Sequence, residues 1–175
     1  EQVKSHSISK VKQELIISLW PHPSYLFNRP LNLLSTYNET IGLFETLGVK
    51  NLLMLYFTFE ISKMSRVEFT NQVLIDKLKV SELVMGFNNS FGKKEEFQEA
   101  YNLAIPVKTL RKYFLEKDTE VNSSIIRQLL NLWQIENANS LLDYKYSISG
   151  TVVSGYQIGR KIGFPTANIG NIDKT

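Results

Sequence analysis

Short apolar runs alternate with helix-like segments over most of this chain, and this alternation limits the possible fold more than any other feature. The runs ELIISLW (14–20), NLLMLYF (51–57), ELVMG (82–86) and LAIPV (103–107) have the length of buried strands. Strands that alternate with helices favour an α/β fold with a parallel sheet, which we expect to extend to about Leu142.

The segments between these runs have helical patterns. NETIGLFETLG (38–48) places apolar residues three apart and ends in Gly48, which predicts a helix with a glycine C-cap. Ser65 and Glu68 have the spacing of a capping box at the start of a helix over 66–79. Further helices are predicted over KEEFQEAYN (94–102), SSIIRQLLNLW (123–133, opened by Asn122 or Ser123) and ENANSLL (136–142).

The pattern changes after Tyr144. The segment KYSISGTVVSG (145–155) alternates in polarity, contains two adjacent valines and leads into glycine-rich turns, which predicts a strand of a different kind. We therefore place a domain boundary here. Residues 1–143 are expected to form the α/β domain, and residues 144–175 to begin a second, β-rich domain.

Composition excludes several classes of function. The 20 Lys and Arg residues barely outnumber the 17 Asp and Glu residues and form no long basic run, so no nucleic-acid or membrane partner is predicted. The absence of cysteine excludes disulfides and thiolate metal sites. The two histidines, His6 and His22, lack the spacing of a zinc site, and no apolar run reaches the roughly 18 residues of a membrane span. We expect a cytoplasmic protein that acts on small molecules; the sequence leaves its oligomeric state open.

The first candidate for ligand contact is the loop Pro21, His22 and Pro23, directly after the first predicted strand. In open parallel sheets, ligands bind beyond the carboxyl ends of the strands. The two prolines restrict the backbone and would hold the histidine at the edge of the sheet. The same residues also fit a rigid loop with a surface histidine.

The second candidate is GFNNSFG (86–92), after the third predicted strand. The amide of Asn88 can donate and accept hydrogen bonds together, and the ring of Phe91 offers a flat face for stacking. Both features suit a heterocycle, although an ordinary turn has a similar composition. The spacing of the two glycines matches neither a dinucleotide fingerprint nor a P-loop.

The third candidate is VNSSIIR (121–127). Ser123 and Ser124 lie at the start of a predicted helix, where free backbone N–H groups and the positive end of the dipole favour a phosphate. Arg127 follows about one turn later and could bind the same anion through two nitrogens. Plain helix capping with a solvated arginine is the alternative.

A glycine-rich motif, GRKIGFPTANIG (159–170), lies near the end of the chain. Together with the earlier stretches, in the same order, it resembles the family of bifunctional bacterial riboflavin kinase/FAD synthetases. The stretches that carry the resemblance are PHP (21–23), LGV (47–49), Phe59 with Ser65, Glu68 and Phe69, then GFNNSFG (86–92), SSIIR (123–127) and GRKIGFPTAN (159–168).

The resemblance implies a fold and an activity. The first domain would be a Rossmann-like nucleotidyltransferase with a parallel sheet and flanking helices, which transfers an adenylyl group from ATP to FMN. The second domain would be the truncated start of a riboflavin kinase β-barrel. ATP, FMN and riboflavin are the implied substrates, and Mg²⁺ is the implied cofactor, with no protein metal ligands in the first domain.

The resemblance also implies roles for individual residues. The residues that would hold the ATP phosphates during adenylyl transfer are Ser123, Ser124 and Arg127. The residues that would contact the flavin are Pro21, His22, Pro23, Asn88 and Phe91. The residues that would hold the nucleotide and Mg²⁺ of the kinase are Gly159, Arg160, Gly163, Thr166 and Asn168.

The sequence departs from the family pattern at several places. Asn122 replaces a usual serine, Ser124 a usual threonine, and Asn89 a frequent aromatic residue. The His-x-Gly-His motif of the superfamily is not in the sequence, and we expect it to precede Glu1. Two alternatives stay open: a non-catalytic flavin- or nucleotide-binding remnant, and an adenylyltransferase for another small phosphate substrate.

Overall fold

The fold is that of a computed structural model, which describes residues 12–29, 31–86, 103–110, 114–115 and 119–170. The strands are β1 (Ile16–Trp20), β2 (Leu52–Tyr56), β3 (Leu83–Met85), β4 (Val107–Thr109), β5 (Phe114–Leu115), β6 (Thr119–Glu120), β7 (Thr151–Val153) and β8 (Asn168–Gly170). The helices are α1 (Pro23–Leu26), α2 (Tyr37–Thr46), α3 (Phe59–Lys63), α4 (Arg66–Glu68), α5 (Ser123–Asn131), α6 (Ile135–Leu142) and α7 (Ile158–Lys161). The α/β class predicted from the alternation is confirmed.

The chain divides into two compact units. The first consists of residues 1–29 and 49–113, and the second consists of residues 30–48 and 114–175. The predicted boundary at Tyr144 follows a change of sequence pattern rather than this division, and it stays a prediction. Among the described residues, no helix is long and apolar enough to cross a membrane.

The first unit contains two parallel strand pairs. β1 and β2 pair in register from Ile16 with Leu52 to Trp20 with Tyr56, which confirms the parallel pairing expected of strands joined by a helix. β3 and β4 form a second parallel pair. The described residues show these as separate two-stranded sheets.

The position of β4 corrects one prediction. We expected a strand over 103–107, but the strand begins at Val107 and runs to Thr109. Pro106 has no backbone N–H, so it cannot join the ladder as a full member, although its carbonyl still accepts from Leu83 at 2.9 Å. The ladder therefore starts one residue later than the proline.

The helix predicted over 66–79 begins as expected and then changes type. Ser65 donates its N–H to the Glu68 carboxylate at 2.8 Å, and the Ser65 hydroxyl accepts from the Glu68 N–H at 3.1 Å, which confirms the capping box. After α4 the backbone continues as a π-helix, Phe69–Ile75. Its bonds span five residues, as from the Asp76 N–H to the Asn71 carbonyl at 2.9 Å.

The π-helix contains buried residues on one face. Phe69, Thr70 and Leu74 are the buried residues of the π-helix, and Leu74 is only 2% exposed. Bonding between residues five apart stacks Phe69 close to Leu74, which brings both apolar side chains to the same face. Sequence periodicity did not reveal this, because the same apolar residues also fit an α-helix.

The second unit packs α5 against α6. Ile126 on α5 and Ala138 on α6 are its buried apolar residues among those described, and the small alanine lets the two helices approach closely. Asn122 is the cap of α5, one of the two residues predicted for that role. α2 ends as predicted, with Gly48 in the left-handed region at a φ of 67°.

The β-rich texture after Tyr144 corresponds to an antiparallel pair. β7 pairs with β8 in register from Thr151 with Gly170 to Val153 with Asn168. The strand is shorter than the segment 145–155 predicted, because residues 145–150 have no ladder partner. Side chains, not a neighbouring strand, accept the backbone N–H groups of Tyr146 and Ser149 in that segment.

Candidate functional sites

His22 serves as a helix cap. Its Nδ1 atom accepts a hydrogen bond from the Ser24 N–H at 3.2 Å and lies 2.8 Å from the Ser24 hydroxyl oxygen, which closes the first turn of α1. Pro23 occupies the first turn of that helix, where a missing N–H costs nothing. The loop lies directly after β1 as predicted, and its histidine is exposed. The flavin contact predicted for Pro21–Pro23 stays a prediction.

The carboxyl ends of β1 and β2 lie side by side, as a binding edge requires. The N–H of Phe57 donates to the Trp20 carbonyl at 2.7 Å, which extends the pairing past the last strand residue. Tyr25, Tyr56 and Phe59, which follow or end these strands, are each more than half exposed. Exposed aromatic rings are therefore present near this edge, with the Lys63 ammonium 4.2 Å from the centre of the Phe59 ring. The sequence predicted no ligand contact for these three residues, and Phe59 was named only as part of the family resemblance.

Asn88 and Phe91, the predicted heterocycle contacts, lie outside the described residues. The first residue of that stretch, Gly86, directly follows β3 and is described. The predicted position after a strand of a parallel pair is thus correct for Gly86. The roles of Asn88 and Phe91 stay predictions.

The N-terminus of α5 is closed by Asn122 alone. The Asn122 side-chain oxygen accepts from the Ile125 N–H at 3.0 Å. The backbone N–H groups of Ser123 and Ser124 have no partner among the residues that the structure describes, and both serines are exposed. Two free N–H groups and two hydroxyls therefore lie at the positive end of a 9-residue helix, an arrangement suited to a phosphate.

Arg127 is held in place by the backbone of a distant segment. Its Nε atom donates to the carbonyl of Asn32 at 2.6 Å, across 95 residues of sequence. Burial lowers the pKa of Arg127 from its ordinary value, but a guanidinium stays protonated in proteins. The bond to Asn32 uses Nε and does not engage the two terminal nitrogens of the guanidinium, which are the atoms that can bind an anion bidentately.

The glycine-rich motif folds around a recess of about 290 Å³. The end of β7, the loop after it and the turn before β8 form its walls. Three of the five residues predicted to hold the kinase nucleotide, Arg160, Thr166 and Asn168, line this one recess. It therefore combines a cation, a hydroxyl and an amide.

The two remaining predicted residues, Gly159 and Gly163, shape the turn. The Phe164 N–H donates to the Gly159 carbonyl at 2.8 Å, and a Cβ at Gly159 would overlap the Phe164 carbonyl oxygen. Gly163 has a φ of 82°, which a residue with a side chain adopts only under strain. Gly155 contributes in a similar way, since a Cβ there would overlap the amide of Asn168.

Two of the side chains that line the recess carry oxygen atoms that could bind a hard cation. Among the described residues, no three His, Asp or Glu side chains lie close enough together to hold a metal ion. Thr166 and Asn168, whose side chains carry a hydroxyl and an amide oxygen, nevertheless line the same recess. Mg²⁺ prefers oxygen ligands and usually keeps several waters, so a few protein oxygens together with phosphates fit it.

Glu39 is a residue whose connections our sequence analysis missed. Its carboxylate completes a capping box with Thr36 at the start of α2 and also accepts from the Ser149 N–H at 2.8 Å. The capping box was detectable, because Thr36 and Glu39 have the same spacing as Ser65 and Glu68. The bond to Ser149 was not detectable, because it joins residues 110 apart in sequence.

Two protein families match this chain in succession. The FAD synthetase family model matches residues 1–124, and the riboflavin kinase family model matches residues 142–175. The first match covers more than half of the chain.

Individual relatives agree with the family matches. The bifunctional riboflavin kinase/FMN adenylyltransferase of Listeria monocytogenes is 31% identical over 97% of this chain and 56% of its own length. The proteins of the same name from Bacillus subtilis and Escherichia coli K12 are 32% and 30% identical, each over 89% of this chain, and 51% and 52% of their own lengths. The chain thus spans about half the length of these curated relatives.

A solved structure shares the fold. It is described as a macrolide-efflux protein from Streptococcus pneumoniae, and it superposes with a TM-score of 0.80 over 98% of this chain and 58% of its own. The sequence identity is 24%, so the likeness concerns the fold alone.

Proposed function

Because this chain belongs to the FAD synthetase family, we propose that it is an FMN adenylyltransferase joined to the start of a riboflavin kinase. The order of the two family matches on one chain carries the proposal. Residues 1–143 would form the adenylyltransferase domain with a Rossmann-like parallel sheet, and residues 144–175 would begin the kinase β-barrel. ATP and flavin nucleotides as substrates also suit a cytoplasmic enzyme.

In the proposed reaction, an FMN phosphate oxygen attacks the α-phosphorus of ATP. The bond from the α-phosphorus to the oxygen that bridges to the β-phosphate breaks, pyrophosphate leaves with that electron pair, and FAD is formed. No covalent intermediate on the protein is required. The protein's contribution is to position two anions and to neutralise their charge.

The start of α5 would hold the ATP phosphates. The free N–H groups and hydroxyls of Ser123 and Ser124 support this assignment, as does the helix dipole. The guanidinium of Arg127, fixed by Asn32 through Nε, would add a positive charge one turn away. Preorganised donors of this kind stabilise charge that develops in the transition state.

The flavin would be contacted by residues that follow β1 and β3. The rigid loop Pro21–Pro23 supports this assignment, since His22 is locked by Ser24 in an exposed position after β1. Asn88 and Phe91 would add a hydrogen bond and a stacking face, as their chemistry suggests.

The recess after β7 would hold the nucleotide of the kinase step. Arg160 would contact phosphate, while the turn shaped by Gly159 and Gly163 would bring the backbone close to it. Thr166 and Asn168 would hold Mg²⁺ through their side-chain oxygens. When bound, Mg²⁺ would neutralise phosphate charge.

The experiment measures both activities in the full-length protein. FAD formation from ATP and FMN, and FMN formation from ATP and riboflavin, are followed separately by chromatography. We expect Arg127→Ala to lower FAD formation about 100-fold, as loss of a preorganised charge does, and to leave riboflavin phosphorylation unchanged. Thr166→Ala should do the reverse, with a loss of about tenfold in the kinase step.

Arg127→Lys is the control. It keeps the positive charge but lacks the planar group that bonds to Asn32, so it separates loss of the charge from loss of that bond. If Arg127→Ala and Thr166→Ala lower both activities equally, the assignment of the two sites is wrong. If the full-length protein forms no FAD from ATP and FMN, the proposed function itself is wrong.

A further inference from the structure

Side chains accept two backbone N–H groups in the segment between α6 and β7. Residues 143–150 contain no helix or strand, and most of them, including Ile148, are exposed. A segment with few apolar contacts and no ladder is expected to open easily unless specific bonds hold it. Its backbone N–H groups must find other acceptors when β pairing is absent.

Two side chains supply such acceptors. The amide oxygen of Asn139 on α6 accepts from the Tyr146 N–H at 2.7 Å. The carboxylate of Glu39 on α2 accepts from the Ser149 N–H at 2.8 Å. Both distances are those of good hydrogen bonds, and the second involves a charged acceptor, which makes it the stronger kind.

The two oxygens of Glu39 serve two different elements. Oε2 accepts from the Thr36 N–H at 2.9 Å and completes the cap of α2, while Oε1 takes the Ser149 N–H. Tyr144 lies close enough to this carboxylate to be affected by its charge. Its pKa is raised, mainly by burial, then by the neighbouring Tyr146 and then by the charge of Glu39.

Ser149 lies two residues before β7, and the end of β7 forms a wall of the recess. Fixing Ser149 therefore fixes the point from which Val152 and Val153 enter that wall. We propose that Glu39 is a positioning residue that joins the cap of α2 to the entry of β7 and so holds the recess in its binding shape. The effect of Glu39 on catalysis rests on the proposed kinase function. The hydrogen bond from the Ser149 N–H to Glu39, called the tie below, does not.

The test uses hydrogen exchange in the full-length protein, followed at the Ser149 amide. Glutamine at position 39 has one acceptor oxygen, and we expect the capping box with Thr36 to keep it, since glutamine also serves in that motif. The NH₂ group would then face the Ser149 N–H and could not accept from it. We expect Glu39→Gln to accelerate exchange at Ser149 about tenfold, as loss of a charged hydrogen bond predicts. Glu45→Gln is the matched control, because it makes the same change on an exposed position of α2 and should leave the rate unchanged.

Thr36→Ala separates the tie from the cap. It removes the hydroxyl that caps α2 but leaves the carboxylate of Glu39 in place, so α2 should lose stability while Ser149 stays protected. If Glu39→Gln leaves the exchange of Ser149 unchanged, or if Thr36→Ala accelerates it as much as Glu39→Gln does, the tie is refuted.

Kinetics test the positioning role. In the full-length protein, Glu39→Gln should raise the KM for ATP in riboflavin phosphorylation about threefold or more, with little change in FAD formation from FMN. An equal loss of both activities would show a general loss of structure and overturn the positioning role. If the wild type does not phosphorylate riboflavin, the proposed function fails, and the exchange experiment still decides the tie.

Discussion

The N-termini of α2 and α5, both in the second unit, meet the same physical requirement in opposite ways. Each helix begins with backbone N–H groups that lack a partner within the helix. At α2, Thr36 and Glu39 satisfy two of them reciprocally and place a carboxylate at the positive end of the dipole. At α5, the neutral side chain of Asn122 satisfies one, and the N–H groups of Ser123 and Ser124 have no partner in the described part of the chain.

The difference shows what distinguishes a structural helix start from a candidate anion site. A carboxylate in the first turn stabilises the helix but repels a phosphate, so the start of α2 is closed to anions. The start of α5 keeps its donors exposed and has the anchored cation Arg127 one turn away. In the sequence, this difference lies in one position: the third helical residue is Glu39 in α2 and Ile125 in α5.

The largest loss of activity is expected when a negative charge is introduced at the start of α5. Ser124→Glu places a carboxylate among the proposed phosphate donors, where like charges a few ångströms apart repel by about 3 kcal/mol. We expect kcat/KM for ATP in FAD formation to fall about 100-fold, while the melting temperature stays the same or rises slightly because of the dipole. Ser124→Gln is the control of similar size. Equal losses in both variants would contradict an electrostatic role for this helix start.

A charge at the cap itself should act more weakly. Asn122→Asp keeps a good capping side chain, since asparagine and aspartate cap equally well. We expect kcat/KM for ATP to fall about tenfold with folding stability retained, because the added charge lies one residue before the donors. Steady-state kinetics and thermal unfolding measure the two effects. An unchanged kcat/KM for ATP would contradict the proposal that the ATP phosphates bind at the start of α5.

Removing each cap should cost the same stability but affect function differently. Thr36→Ala and Asn122→Ala are each expected to lower the free energy of unfolding by about 1 kcal/mol. Only Asn122→Ala should also weaken ATP use, because only α5 is proposed to bind phosphate. Denaturant titrations and FAD assays on both variants test this. Equal kinetic effects would remove the contrast between the two helices.

The capping box at the start of α4, like that of α2, contains a glutamate whose charge depends on pH. Its effect on folding stability is expected to be the smallest of those described. Hydrogen bonds from the Ser65 backbone, and then from its side chain, lower the pKa of Glu68 below its usual value of 4.5. Since the folded state has the lower pKa, the stabilisation is present above the unfolded value and is lost as the pH falls through the folded value. Unfolding experiments from pH 6 to pH 3, the acid range of carboxylates, should show a shallower loss of stability for Glu68→Gln than for the wild type.

Local patterns predicted the elements that depend on neighbouring residues. The capping box of Ser65 and Glu68, the cap at Asn122 and the glycine at the end of α2 were all predicted, because each needs only a few adjacent positions. The start of β4 was predicted too early, since the ladder depends on a partner strand that local apolarity does not reveal. The π-helix after α4 was missed for a similar reason: burial of Thr70 and Leu74 is a property of the packed unit.

The candidate sites divide in the same way. Three residues of the recess, Arg160, Thr166 and Asn168, were named because the contiguous motif GRKIGFPTAN carries the family resemblance, whereas the contribution of β7 to its wall was not predicted. Asn32 and Glu39 were not assigned their roles, because each acts through a partner about a hundred residues away.

The sequence by itself determined the α/β class, several of the helices and strands, the family and the chemical groups available at each candidate site, whereas the helix predicted over 94–102 lies outside the described residues. Tertiary structure alone decided which of those groups are already engaged. The Nε of Arg127 is taken by Asn32, the Nδ1 of His22 by Ser24, and the carboxylate of Glu39 is shared between α2 and the segment before β7. The physical reason is that hydrogen bonds over long sequence separations form only when the fold brings donor and acceptor within about 3 Å, and no local pattern encodes that distance.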